Sequence, residues 1–291
     1  MKNKIKVSIL VFTLIFTSLI FISCNKEQTK DVETETIAVS IIPQRTFLEN
    51  IVKDELEILT LIPAGSSPAS YQPSPKTLEK LENSSIYFSI GVPTEKANII
   101  PFIEDNENLE IVDLAKKVDS KYEPNYFDNE KKARDPHIWL SVKRSILMVK
   151  EMKNELVKMY PEKEKLLTNN ANEYINKLKN LDEYIKNKSE TLENKSFIIF
   201  HPSYGYYSND YNLNMVPLEI GGKKASIKRL QEIIEFAKKE NINTFFYQEE
   251  MSKKQIDLIS KELNGKVIKL KPLGKDYIEN QKILIDTLAG E

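Results

Sequence analysis

PEKEKLLTNNANEYINKLKNLDEYIKNK, residues 161–188, is the stretch on which the architecture turns. Leu167, Ala171, Tyr174, Leu178, Leu181 and Ile185 recur at steps of four and three, so they lie in one apolar stripe along a helix. Pro161 suits its first turn. At 1.5 Å per residue such a helix is about 40 Å long, long for a globular domain and suited to a rigid strut between two lobes.

On either side of the strut, apolar runs alternate with amphipathic ones. Upstream, strands are expected at residues 36–42, 57–62, 86–90 and 109–112, and helices at 47–53, 76–83 and 141–159. A Pro- and Ser-rich loop spans 63–75, and a polar loop spans 119–134. Downstream, strands at 196–200, 216–220, 244–247 and 266–270 alternate with helices at 227–239, 253–263 and 277–288. Strands alternating with helices predict βαβ units and parallel pairing. The expected fold is α/β: two lobes, each a mostly parallel sheet flanked by helices, joined by one long backbone helix. The lobes are assigned to 36–160 and 191–291, with the linking helix at 161–190. No internal repeat can be aligned.

Lys2, Lys4 and Lys6 precede an apolar run, Val7 to Ile22, which ends at Ser23 and Cys24, the only cysteine of the 291 residues. That run is shorter than the roughly 20 residues of a membrane-spanning helix and has the layout of an export signal. It resembles a bacterial lipoprotein signal covering 1–23, with Cys24 lipidated and 24–35 as a polar tether. An extracytoplasmic, lipid-anchored chain is expected, without an internal disulfide. Three lysines and no acids leave with the signal, so the formal net charge falls from −1 to −4. With no basic cluster, nucleic acid is not expected as a partner. No Walker-type loop or Gly-x-Ser-x-Gly elbow occurs, so neither an enzyme nor a catalytic cofactor is expected. The chain is read as a monomer.

Two histidines remain to carry chemistry. His137 lies in Asp135-Pro136-His137-Ile138-Trp139-Leu140, and His201 follows the apolar run Phe197-Ile198-Ile199-Phe200. An imidazole at a strand end faces the crevice where ligands of open α/β sheets bind, and neutral imidazole is the commonest protein ligand of transition metals. Zinc usually takes three or four protein ligands. Glu249 and Glu250, after the strand at 244–247, stand at the same strand-end level as His201 and are the candidates to complete a set.

From about Thr36 onward the chain resembles the metal-binding lipoproteins that serve zinc and manganese importers of the ABC type. The loop Pro63-Ala64-Gly65-Ser66-Ser67-Pro68-Ala69-Ser70-Tyr71-Gln72-Pro73 is similar to the family's Gly-x-x-Pro-His-x-Tyr-x-Pro segment. The run from Asp135 to Leu140 matches its Asp-Pro-His-x-Trp-Leu, and His201-Pro202-Ser203-Tyr204-Gly205-Tyr206 resembles its His-x-x-Phe/Tyr-Gly-Tyr. Lys271-Pro272-Leu273 stands where the family has Asp-Pro-Leu, and the long helix matches the family's backbone helix. The resemblance implies a metal cargo, Zn²⁺ or Mn²⁺, held between the lobes, and an ABC importer permease as partner.

It carries over two family ligand positions, as His137 and His201. The other two are degenerate here, being Ala69, which cannot coordinate, and Lys271, which carries the wrong charge. Three readings stay open at this point. Substitute ligands such as Glu249 or Glu250 complete a metal site; or the cleft is refitted for a non-metal or metal-chelate ligand, with Tyr71, Trp139, Tyr204 and Tyr206 as aromatic walls; or the protein serves as a surface adhesion or interaction protein with no small ligand. The loop Tyr122 to Lys132 contains no histidine, so zinc scavenging by a His-rich loop is not expected.

Overall fold

Two four-stranded, all-parallel sheets organise the chain, and both have the same strand order. The computed structural model describes residues 35–128 and 130–291. The expected signal, Cys24 and most of the tether lie outside the described residues.

In the N-terminal lobe, β1 (Thr36–Val39), β2 (Glu57–Thr60), β3 (Ile86–Ser89) and β4 (Glu110–Asp113) are arranged 2-1-3-4. Between them run α1 (Ile42–Val52), α2 (Pro75–Glu82) and a π-helical turn, Glu95–Ile99, that continues into α3 (Ile100–Ile103); α4 (Leu114–Asp119) follows β4. In the C-terminal lobe, β5 (Ser196–Ile199), β6 (Asn214–Pro217), β7 (Thr244–Gln248) and β8 (Lys266–Leu270) are arranged 6-5-7-8, the same order. The repeat that the sequence hid is therefore topological. In each sheet the order reverses beside the first strand, so crevices form at the carboxyl ends of β1/β3 and β5/β7. Ligands of open α/β sheets bind at such points.

Burial follows this plan. β3 is buried throughout and β1 nearly so, whereas the edge strand β4 has the pattern of a half-covered ribbon. That is the expected signature of parallel strands covered on both faces by helices.

The linking element starts with a 3₁₀ turn, Pro161–Lys163, and continues as α6 (Glu164–Thr191), 28 residues long. All six stripe residues are buried. They pack against α5 (Val142–Met159) and α1 on one side and α10 (Tyr277–Leu288) on the other. One continuous apolar core runs from Ile37 through Trp139 and Leu178 to Tyr207, Leu273 and Leu284, and so crosses from lobe to lobe. A second, smaller cluster around Ile198, Ile233 and Ile256 serves only the outer side of the C-terminal sheet. Among the described residues, no helix is long and apolar enough to cross a membrane.

Several boundaries differ from those expected, for local reasons. α1 begins at Ile42, not 47. Pro43 lies in its first turn, and the Gln44 side chain accepts bonds from the backbone N–H groups of Ser40 and Ile41. A glutamine cap has no N-cap signature to read in the sequence. α4 is an additional helix at the edge of the polar loop, capped by Asp113, which accepts from Lys116 N at 2.9 Å. β6 starts at Asn214 and ends at Pro217 rather than spanning 216–220. The chain still follows β5 beyond that point, with Leu218 N donating to Ile199 O and Glu219 N to Phe200 O. This extension brings Glu219 beside His201.

Candidate metal centre

His137 and His201 reach one cavity from opposite lobes. Its volume is about 320 Å³, and most of its wall is apolar. The two ring centroids are 5.3 Å apart with an interplanar angle of 73°. Two imidazoles sharing one tetrahedral ion through bonds of ~2.0–2.1 Å hold their ring centres roughly 5 Å apart. The observed spacing meets that requirement without lobe closure.

Each ring is oriented by a buried carboxylate. Asp135 Oδ1 lies 2.7 Å from His137 Nδ1 and also accepts from His137 N at 2.9 Å. Glu219 Oε2 lies 3.2 Å from His201 Nδ1. Both carboxylates are largely buried. With Nδ1–H engaged in this way, the lone pair on Nε2 is left for a ligand. Carboxylate–histidine pairs of this kind fix tautomer and ring angle around bound metals.

The backbone under His201 is held just as firmly. Gln248, buried at the end of β7, accepts from His201 N at 3.2 Å and donates to His201 O at 2.7 Å and Ser203 Oγ at 2.8 Å. His201 thus sits in the β5/β7 crevice, stapled across the point where strand order reverses. It does not cap the next helix, α7 (Gly205–Asp210), whose N-cap position is Tyr204. On the other side, Trp139 lies 5.2 Å from His137, ring to ring. Its indole N–H donates to Pro272 O in the C-terminal lobe at 2.9 Å. Its own carbonyl accepts from Tyr277 Oη at 2.7 Å. These bonds, worth about 1 kcal/mol each net, tie the loop carrying His137 to the C-terminal lobe.

The remaining candidates divide. Glu250 lines the cavity. Burial pushes its carboxyl above the usual range, the neighbouring Glu249 adds to this, and His201 opposes it. Glu249 is turned aside, exposed and paired with Lys269 at 2.8 Å. Both acids follow β7, and of the two only Glu250 faces inward. Ala69 is on the wall. Lys271 is exposed and absent from the lining, so its charge does not stand in the cavity.

Of the four expected aromatic walls only Trp139 serves as one. Tyr204 and Tyr206 are buried in the core between the lobes. There Tyr206 Oη donates to Asp135 O at 2.9 Å. Tyr71 packs against the core, and its carbonyl accepts from Thr94 and Asn98. Tyr71, Tyr204 and Tyr206, walls only under the refitted-cleft reading, pack in or against the core and leave the lining to other residues. Among the described residues, no three His, Cys, Asp or Glu side chains are grouped as a ready-made metal cage.

The family described as "Zinc-uptake complex component A periplasmic" (ZnuA) matches residues 37–290. The chain belongs to the ZnuA family. A crystal structure of ZnuA superposes with a TM-score of 0.82 at 30% identity, covering 89% of this chain and 99% of that one. The high-affinity zinc uptake system protein ZnuA of Bacillus subtilis is 25% identical over 308 residues, covering 96% of this chain and 95% of the relative. The zinc-binding protein AdcA of Streptococcus pyogenes serotype M3 is 28% identical over 321 residues. This alignment takes in 99% of the chain but 61% of AdcA, so the chain spans less than two thirds of that relative's length. The two-lobed parallel α/β architecture with its linking helix is that of the ZnuA fold.

Four residues support this ZnuA-family cavity. Asp135 stands two residues before His137, a spacing that is itself a sequence signal for an orienting carboxylate. Glu219 and Gln248 gave no signal, being 18 and 47 residues from His201. Gly205 belongs with them: a Cβ there would sit 2.8 Å from Asp135 Oδ2. Gly205→Ala is therefore expected to displace the carboxylate and loosen His137. The expected loss of metal affinity is about 10-fold, at the lower end for outer-shell partners, and titration of both proteins under one buffer checks it.

Proposed function

We propose that this protein is the extracytoplasmic solute-binding component of an ABC importer and that its cargo is zinc, taken up between His137 and His201. The observation that carries the reading is the pair of imidazoles, 5.3 Å apart, each with a buried carboxylate on Nδ1. Glu250 is the third ligand in this reading. A fourth position then stays open for water, as at zinc sites with three protein ligands. Two nitrogen donors favour zinc over manganese, which prefers oxygen-rich sets and binds such sites more weakly. The names of the relatives, zinc-binding and zinc-uptake proteins, support the same choice.

The partners in this reading are the membrane components of the importer, and Cys24 is the lipid attachment point. A zinc-binding lipoprotein AdcA of Streptococcus pneumoniae, 27% identical over 297 residues, supports the anchor.

The test is calorimetry on the chain from Asn25 onward, made without a His-tag and dialysed against chelator. Zinc is expected to bind with a dissociation constant below micromolar, and manganese more weakly. If neither ion binds tighter than micromolar, the reading is wrong.

A further inference from the structure

The cavity is larger than a bare ion needs. At about 320 Å³ it has room for on the order of ten waters, and it stands at the lower end of the pockets that bury small organic molecules. His137, His201 and Glu250 supply donors, but Val92, Pro93, Trp139, Met251 and Leu273 make the wall apolar. An ordered water wants about three polar partners, and such a wall gives a hydrated ion few of them. A carbon skeleton carried on the ion removes this mismatch. Its apolar body covers the wall while its heteroatoms hold the metal.

Two further lining residues say what such a ligand would carry. Ala69 is exposed and gives the wall a methyl group but no donor, so it leaves room beside the ion. Arg134 brings a guanidinium to the wall. Asp119 fixes it, with Oδ2 accepting from Nε at 2.9 Å and Oδ1 from Nη2 at 2.7 Å. Nη1 donates to Asp135 O at 3.3 Å and carries a second N–H. Gly91 keeps that nitrogen uncovered, since a Cβ there would come within 3.5 Å of it. A guanidinium held by one carboxylate is a preorganised receptor for another.

We propose that zinc enters this cavity as a complex with one small α-amino acid, and that Arg134 recognises the carboxylate of that ligand. The amine and carboxylate take the place otherwise left to water, and the side chain lies along the apolar wall in the room beside Ala69. The ammonium gives up a proton to solvent as its nitrogen coordinates, as ligand atoms generally do on binding a metal. Zinc held by three protein donors accepts such a ligand, because sites with an open position expand beyond four-coordination. The inference rests on the assignment of zinc to His137 and His201 and adds to it the form in which the ion arrives.

Equilibrium dialysis of the chelator-treated chain from Asn25 onward, against zinc and isotope-labelled L-histidine in equal amounts, tests it. Labelled histidine is expected to stay with the protein at about one per bound zinc, and to pass freely when zinc is omitted. Ala69→His, whose own imidazole takes the room beside the ion, should keep zinc and exclude the labelled histidine. Arg134→Gln deletes a charge-assisted bond and should lower histidine retention about tenfold. Zinc retained without histidine in the parent would overturn the proposal and leave the zinc assignment standing. Histidine retained without zinc, or retained equally by the parent and either variant, would overturn it too. Retention of neither zinc nor histidine defeats the zinc assignment, and the proposal with it. Should Arg134→Gln not fold, Ala69→His decides, being a change at an exposed position.

Discussion

His201→Ala is expected to lower zinc affinity by more than about 100-fold, the upper end of what loss of a mere outer-shell partner costs. His201 supplies the only imidazole from the C-terminal lobe, and Glu250 alone cannot replace a nitrogen donor. The substitution also strands Glu219, whose side chain is 10% exposed and loses its ring partner. A thermal melt in chelator separates that cost from lost coordination. The outcome that defeats the assignment is a folded His201→Ala protein that binds zinc as tightly as the parent. Glu219→Gln provides the graded comparison, expected to lose less than His201→Ala because the ring stays in place while its orientation relaxes.

Ala69→His is expected to act in the opposite direction. Ala69 lies on the cavity wall, at the position where the family resemblance has a ligand histidine. An imidazole there offers a fourth protein ligand to an ion otherwise completed by water. Affinity for zinc should rise by about tenfold or more as the tetrahedral set closes. Calorimetry of parent and variant, side by side, measures it. An unchanged or weaker affinity would show that the cavity does not place its cargo between Ala69 and the two histidines.

The long helix and the alternation around it were legible because periodicity is a local property of the chain. All six stripe residues of α6 face the core. The two histidines were legible as well, being rare and standing at the strand end and in the motif where cavities form. What stayed hidden required distance. Glu219 reaches His201 only because the chain runs on beside β5 past Pro217, and Gln248 only because β7 pairs with β5. The inward turn of Glu250 and the outward turn of Glu249 depend on a partner, Lys269, in another strand. The 2-1-3-4 order common to both lobes is likewise a pairing fact, which no comparison of side chains along the chain reveals.

The core that passes from lobe to lobe also bears on how cargo is admitted. Interfaces that are large and apolar oppose rigid-body motion of the parts they join. Trp139, Tyr207 and Tyr277, all buried, lie in that shared core. Entry and exit are then matters for the loops around the cavity rather than for a hinge between lobes.

Trp139 is the only tryptophan of the chain. It stands on the cavity wall with His137 beside it and Pro272 of the other lobe at its N–H. The whole ultraviolet emission of indole type therefore originates from a single point, against one of the two imidazoles of the cavity. The protein carries its own optical reporter: loading, release and any slip between the lobes can be followed by stopped flow on the unlabelled chain.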